Sequence, residues 1–263
     1  MELSKIISSS LKYPFRNIAK LPIIFILFLL IAVIPIGRLL DNNYIVLVGV
    51  IAFFIFLLIV PGYFLGVVRK GSIESSLFPS LSLVDSIYDS IRVLVLRMVY
   101  MIVPTIVFFI AFSTLGASAA DMLYGWQISN FLATLGAMLL LILIVYLIFE
   151  FLLLFAKARL AYLNSLKEAL KINKVMGDIK KIGIVNIIKW IILMIMLLVA
   201  VSLISSLVMA IPYVGFLIYV AVVIPIAESI GNYSLGLLYS NIIDNDNDLD
   251  KLEQEIKQFK YHN

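Results

Sequence analysis

Apolar residues in this chain are gathered into six long blocks, at residues 21–40, 44–68, 98–117, 128–156, 182–210 and 216–239, with polar segments between them. Each is about as long as an α-helix must be to cross a hydrocarbon core of ~30 Å. The pattern predicts an all-α integral membrane protein, with six transmembrane helices arranged as three hairpins. Residues 1–240 form the transmembrane domain and residues 241–263 a short polar tail. Prolines shape the spans. Pro22 suits the first turn of the first helix. Pro35-Ile36-Gly37 bends or ends that helix, and Pro61-Gly62 lies near the end of the second. Pro104 kinks the third. The fourth block is long enough to tilt or to project from the bilayer. Ile211-Pro212-Tyr213-Val214-Gly215 turns the chain into the sixth, which runs through Pro225.

The polar segments carry their own periodicity. Pro14 interrupts the amino-terminal segment, residues 1–20. Ser82 with Asp85 has capping-box spacing, and so does Ser165 with Glu168. After Ser82, apolar Val84, Ile87, Ile91, Leu94 and Met98 recur at helical steps, with Asp85, Asp89 and Arg92 opposite. After Ser165, Ala169, Ile172, Met176 and Ile179 face Lys167, Lys171, Lys174, Asp178 and Lys181. Both patterns predict amphipathic helices lying in the cytoplasmic interface. The second also fits a partner-binding helix. Gly62 and Gly66 form a GxxxG spacing, which suits either close helix packing or a flexible helix end. Ser202, Ser205, Ser206 and Ala210 suit helix packing in the fifth span. Tyr124, Trp126, Lys189 and Trp190 are expected at the interfaces. The apolar run after residue 20 is too long for a secretory h-region, and no small-residue cleavage site follows it.

Charge sets the expected orientation. Residues 157–189 hold eight Lys or Arg against Glu168 and Asp178. With the amino terminus inside, Arg38 is the one outer residue among the 20 Lys and Arg. Positive residues concentrate on the cytoplasmic side of membranes, so both termini are expected in the cytoplasm of a cell-membrane protein. Composition agrees: the 263 residues are 63% hydrophobic and 14% charged, with mean hydropathy +1.12. The net charge of +4 sits beside the spans, which makes anionic lipid headgroups the expected partner and not nucleic acid. Three segments, each a polar inner stretch followed by a hairpin, suggest an internal repeat.

Little in the chain supports chemistry. Cys is absent and His262 is the single His, so thiolate and imidazole sites are not expected. The acidic tail from Asp244 to Glu255 imitates a calcium loop. Leu249 replaces its Gly, however, and Lys251 intrudes, so the tail reads better as a short capped helix. No metal, cofactor or catalytic set is expected. Carboxylates within the spans are the sharpest candidates, because ionisable groups in lipid are costly. Glu228, with Ser229 and Asn232, forms an intramembrane polar site if the sixth helix is continuous. If that span ends near Pro225, Glu228 is interfacial. Glu150 is expected in an ion pair, with Arg159 as one partner, or at the inner interface.

Three stretches resemble an uncharacterised archaeal family of multi-pass membrane proteins, domain of unknown function 4013. They are Pro61-Gly62-Tyr63-Phe64-Leu65-Gly66-Val67-Val68-Arg69, Ala156-Lys157-Ala158-Arg159-Leu160-Ala161-Tyr162 with Ser165-Leu166-Lys167-Glu168-Ala169-Leu170, and Ile211-Pro212-Tyr213-Val214-Gly215. Ser75-Ser76-Leu77-Phe78-Pro79 keeps the Pro of a family stretch without its acidic cluster. The resemblance covers most of residues 5–240. It implies a six-span archaeal cell-membrane protein and carries no activity to transfer. The expectation is a non-enzymatic membrane component that binds lipid or a partner, with Lys167, Lys171, Lys174 and Lys181 as its basic stripe. It would act alone, as a homo-oligomer or with another membrane protein. The alternative is a small-solute or ion transporter or channel with its polar site near Glu228.

Overall fold

The computed structural model describes residues 3–123, 128–212, 214–240 and 242. The expectations for Tyr124, Trp126, Tyr213 and the tail beyond Ile242 lie outside these residues. All the described elements are helical. Six stretches are long and apolar enough to span a membrane: Ser4–Leu39, Asn43–Ser72, Leu83–Gly116, Ile128–Leu163, Ile184–Met209 and Gly215–Ser240. The protein is an all-α multi-pass membrane protein.

The first span is a composite. Helix α1 (Leu3–Lys12) leads through a 3₁₀ segment at Phe15–Lys20 to α2 (Leu21–Leu29). A second 3₁₀ segment, Leu30–Ala32, precedes α3 (Val33–Leu39). Pro35 accounts for the second break. It has no N–H for the Ile31 carbonyl, and its ring crowds that oxygen. Helix α4 (Asn43–Ser72) starts at Asn42, whose Oδ1 accepts from the amides of Tyr44 (3.0 Å) and Ile45 (3.2 Å). Pro61 does not end α4, which continues to Ser72.

Helix α5 (Leu83–Leu123) corrects one expectation. The amphipathic stretch after Ser82 is no separate interfacial helix; it is the first part of a 41-residue helix containing the third span. Ser82 caps it, with Asp85 N donating to Ser82 Oγ at 3.4 Å. The faces are also reversed from those of a helix in water. Asp89 and Arg92 are buried against the protein, while Val84 and Ile91 face outward; Asp85, in the first turn, stays exposed. The surrounding medium on that side is apolar, so the polar face has to turn inward.

Helix α6 (Ile128–Leu163) returns, and α7 (Leu166–Ala169) and α8 (Ile172–Ile182) form a bent corner. One continuous helix over residues 165–181 was expected. At the break, Tyr100 Oη donates to Ala169 O at 3.0 Å, the carbonyl that a continuing helix would offer to Asn173. The expected cap is present, since Ser165 Oγ accepts from Glu168 N. Gly183 at φ +86 separates α8 from α9 (Ile184–Met209), a conformation open to Gly at no steric cost.

The last span opens with α10 (Gly215–Ile218). A π-helical turn at Tyr219–Val223 joins it to α11 (Ile224–Ser240). The turn lies one step before Pro225, where the regular ladder cannot be completed. The helix is continuous past Glu228 to Ser240, so it does not stop at Pro225.

Helix α4 is central, packing on α3, α5, α6 and α11. The core gathers at one end of the bundle around Tyr63, Val68, Phe78, Phe155, Leu160 and Leu238. This is where most basic residues lie, and it is called the basic end below. Away from it, Phe109, Phe112, Leu139, Leu143, Leu203 and Leu207 are exposed, as side chains facing lipid would be. The small residues Ser202, Ser206 and Ala210 are exposed as well. Trp190 is no interface anchor either. It is buried, and its Nε1 donates to Ser234 Oγ at 3.2 Å.

Candidate functional site at the basic end

Two buried ionic networks tie the helix ends together. The first centres on Asp89 of α5. Its Oδ2 accepts from Arg69 Nη2 at 3.1 Å, and its Oδ1 accepts from Arg92 Nη1 at 3.0 Å. Asn164, just past α6, adds the third side. Its Oδ1 accepts from Arg92 (2.7 Å) and Arg69 (3.2 Å), and its backbone carbonyl accepts from Arg92 Nη2. Asn164 has φ +52, the left-handed conformation that closes helices and that Asn tolerates. Arg69 Nε also donates to Ala161 O at 3.1 Å. One carboxylate and one amide thus join α4, α5 and α6.

The second network centres on Asp178 of α8. Arg159 Nη1 donates to Asp178 Oδ2 at 2.6 Å, and Tyr239 Oη of α11 donates to the same oxygen at 2.5 Å. Arg159 also donates to Glu168 O at 3.1 Å and lies 3.6 Å from its carboxylate. Asp178 therefore faces inward with Val175 and Ile182 and does not belong to the basic stripe. Lys171 Nζ bonds Glu168 Oε1 at 2.5 Å, and this ammonium holds the Glu168 carboxyl below the usual carboxylate range.

That inward anchoring leaves α8 with two further faces. Ile172 and Met176, one turn apart, are exposed. Lys174 and Lys181 lie on the side away from them, and both are exposed, as are Lys167 and Lys171. The stripe residues expected from the sequence are thus brought onto one corner.

Glu228 and Glu150, the two carboxylates singled out in the spans, are both engaged. Asn232 Nδ2 donates to Glu228 Oε2 at 2.9 Å and to Glu228 O at 2.8 Å, and Asn232 Oδ1 accepts from Lys157 Nζ at 2.6 Å. Glu228 and Asn232 are brought together with Lys157, which the sequence did not single out. Ser229 is buried beside them, but its hydroxyl donates back to Pro225 O at 2.7 Å. Glu150 belongs to a different cluster. It accepts from Arg97 Nη2 at 2.7 Å and Tyr146 Oη at 2.8 Å. Its ion-pair partner is Arg97; Arg159 is taken by Asp178. Among the described residues, no three acidic or His side chains converge as metal ligands would.

A docked amino-terminal segment closes this end. Tyr13 is fully buried and stacks on Tyr233 at 3.8 Å, with Phe78 edge-on at 4.6 Å. Asn17 Nδ2 donates to Ser76 O at 2.8 Å and to Tyr13 O at 3.0 Å, and Asn17 Oδ1 accepts from Phe78 N at 2.9 Å. Lys20 Nζ reaches Phe78 O at 3.0 Å. Tyr13 Oη donates to Leu77 O at 3.3 Å, so the loop between α4 and α5 is held down at three adjacent residues, Ser76, Leu77 and Phe78.

Residues 45–212 match the family described as protein of unknown function (DUF4013). The chain belongs to this family. The match takes in α4 to α9, and so both networks except Tyr239. No curated protein and no solved structure matches the chain.

Proposed function

We propose that this DUF4013 protein is a non-enzymatic membrane component that holds anionic lipid headgroups on its basic end, with that end and both termini in the cytoplasm. The supporting observation is the three-sided character of α8. Val175, Asp178 and Ile182 are fixed to the bundle, Ile172 and Met176 are exposed, and Lys174 and Lys181 lie on the remaining side. A helix with exposed apolar and exposed basic sides, beside six spans, fits the boundary between acyl chains and headgroups. Arg38, at the other end of the first hairpin, is the lone basic residue expected outside. The test is retention of phosphatidylglycerol against phosphatidylcholine by purified protein, read by native mass spectrometry. Changing Lys167, Lys171 and Lys174 together to Gln is expected to lower phosphatidylglycerol retention severalfold, in a salt-dependent way. Unchanged retention would refute the proposal.

A transport reading rests on one feature. The π-helical turn Tyr219–Val223 and Pro225 interrupt the last span directly before Glu228, as helices at transport sites are interrupted. It predicts loss of flux in Glu228→Gln with normal insertion. Against it, Glu228 is tied through Asn232 to Lys157, so each of the three groups has a partner within the protein.

A further inference from the structure

Helices α4 and α5 diverge below their closest crossing and enclose a cavity of about 420 Å³ next to the Asp89 network. On α4 its wall is made by Tyr63, Gly66 and Lys70, which share one face at helical spacing. On α5 it is made by Asp85, Ser86 and Asp89, with Pro79 and Ser80 of the connecting loop at the edge. Its charged groups are Arg69, Lys70, Arg92, Asp85 and Asp89.

The side-chain polar groups of Tyr63, Ser86 and Lys70 make no hydrogen bond or ion pair among the described residues. Tyr63 is 4% exposed and Ser86 is 5% exposed, yet neither hydroxyl has a hydrogen-bond partner among the described residues. Among the described residues Ser10 Oγ is the one fully enclosed side-chain polar atom without a partner, so neither hydroxyl is sealed off, and both residues line the cavity. Buried hydroxyls without partners are uncommon and costly. The third group is Lys70, half-buried, with no ion pair among the described residues. Arg69 adds spare donors, since its Nη1 makes none of the bonds that fix its Nε and Nη2.

We infer that this cavity binds a phosphate group. An ammonium, a guanidinium edge and two hydroxyls among the lining residues supply the donors that phosphate oxygens require. Asp89 does not oppose the anion, because both of its oxygens are already held by Arg69 and Arg92. Asp85, exposed at the mouth, is placed to accept from a hydroxyl or amine attached to the phosphate. Asn164, just before α7, is also in the cavity lining, but none of Lys167, Lys171, Lys174 and Lys181 is. The phosphate could be carried by a phospholipid headgroup or by a soluble phosphate.

The test uses full-length protein in mild detergent. One arm compares thermal unfolding in inorganic phosphate and in chloride at matched ionic strength. The other compares phosphatidic acid with diacylglycerol, which lacks the phosphate. Stabilisation by phosphatidic acid alone identifies a lipid headgroup, and stabilisation by both identifies a site open to soluble phosphate. In either case Lys70→Gln is expected to weaken binding about tenfold, with Ser86→Ala weakening it less. Lys189→Gln, which removes the same charge elsewhere, is expected to bind as wild type does. The inference is overturned if wild type responds to neither phosphate source, or if Lys70→Gln binds as wild type does. Should Lys70→Gln fail to fold, equal binding by Ser86→Ala and wild type overturns it as well. Lipid retention lost only through Lys167, Lys171 and Lys174 would count against the cavity while leaving the α8 proposal standing.

Discussion

Gly71 of α4 and Gly236 of α11 face each other where the two helices cross, and neither position has room for a Cβ. A Cβ on Gly236 would stand 2.2 Å from Val68 O and 2.8 Å from Gly71 Cα. A Cβ on Gly71 would stand 2.5 Å from Tyr233 O. Backbones this close gain dispersion contacts that longer side chains would prevent. Gly62 does the same on the other side of α4, where its Cβ would meet Ser86 O at 2.0 Å. Of the two uses weighed for the Gly62–Gly66 spacing, close approach is the one found at Gly62.

Gly236→Ala should therefore force α4 and α11 apart. Overpacking of this kind costs about 1–3 kcal/mol. The check is thermal unfolding in detergent, where Gly236→Ala should melt below wild type. Gly231→Ala, on the same helix but with open space at its Cβ, should not.

Asp89 balances two guanidinium groups, and its side chain is 10% exposed, against 8% for Arg92. Asp89→Ala leaves both cations without their counter-charge. Removing one partner of a buried pair costs about 3–5 kcal/mol, and the upper end is expected because two partners are affected. The variant should show a large loss of folded yield. Restoration of stability by Asp89→Ala combined with Arg92→Leu would confirm that uncompensated charge is the cause.

These buried charges show where the sequence was legible and where it was not. The six spans follow from length and hydropathy, because crossing lipid demands long apolar helices. The periodicity around Asp89, Arg92 and Asp178 was equally plain, but its direction was not. A polar stripe faces water on a soluble protein. On a lipid-embedded helix it turns inward to meet other polar groups, and sequence spacing alone does not say which medium surrounds the apolar face. The partners Asn164, Arg159 and Tyr239 were hidden for a second reason, since they arrive from distant parts of the chain. Glu150 was expected in an ion pair, but the Arg97 that meets it lies 53 residues away. The Gly71–Gly236 crossing carries no local signal at all.

Asn17 should control the loop before α5. Its side chain makes three hydrogen bonds, all to backbone, at Tyr13, Ser76 and Phe78. Asn17→Ala removes them and leaves buried backbone groups unsatisfied, at about 1–3 kcal/mol. Hydrogen exchange should accelerate across residues 73–82 and stay unchanged in the centre of α4.

The α7–α8 corner should respond to pH. Lys171 holds the folded-state pKa of Glu168 below its unfolded value. The resulting stabilisation is present above the unfolded carboxylate pKa and is lost as pH falls through the lower folded value. Amide exchange at residues 168–172 should quicken over that acidic range. Lys171→Gln should flatten the response.

The placement of α8 on the bilayer is the centre of the account, and the absence of Cys from the chain makes it directly measurable. Met176→Cys and Lys174→Cys, each carrying a nitroxide in phosphatidylglycerol vesicles, report depth through their relative accessibility to oxygen and to a water-soluble nickel chelate. The label at 176 is expected at the acyl-chain boundary, with oxygen access dominant, and the label at 174 in water. Equal, water-dominated accessibility at both positions would contradict it.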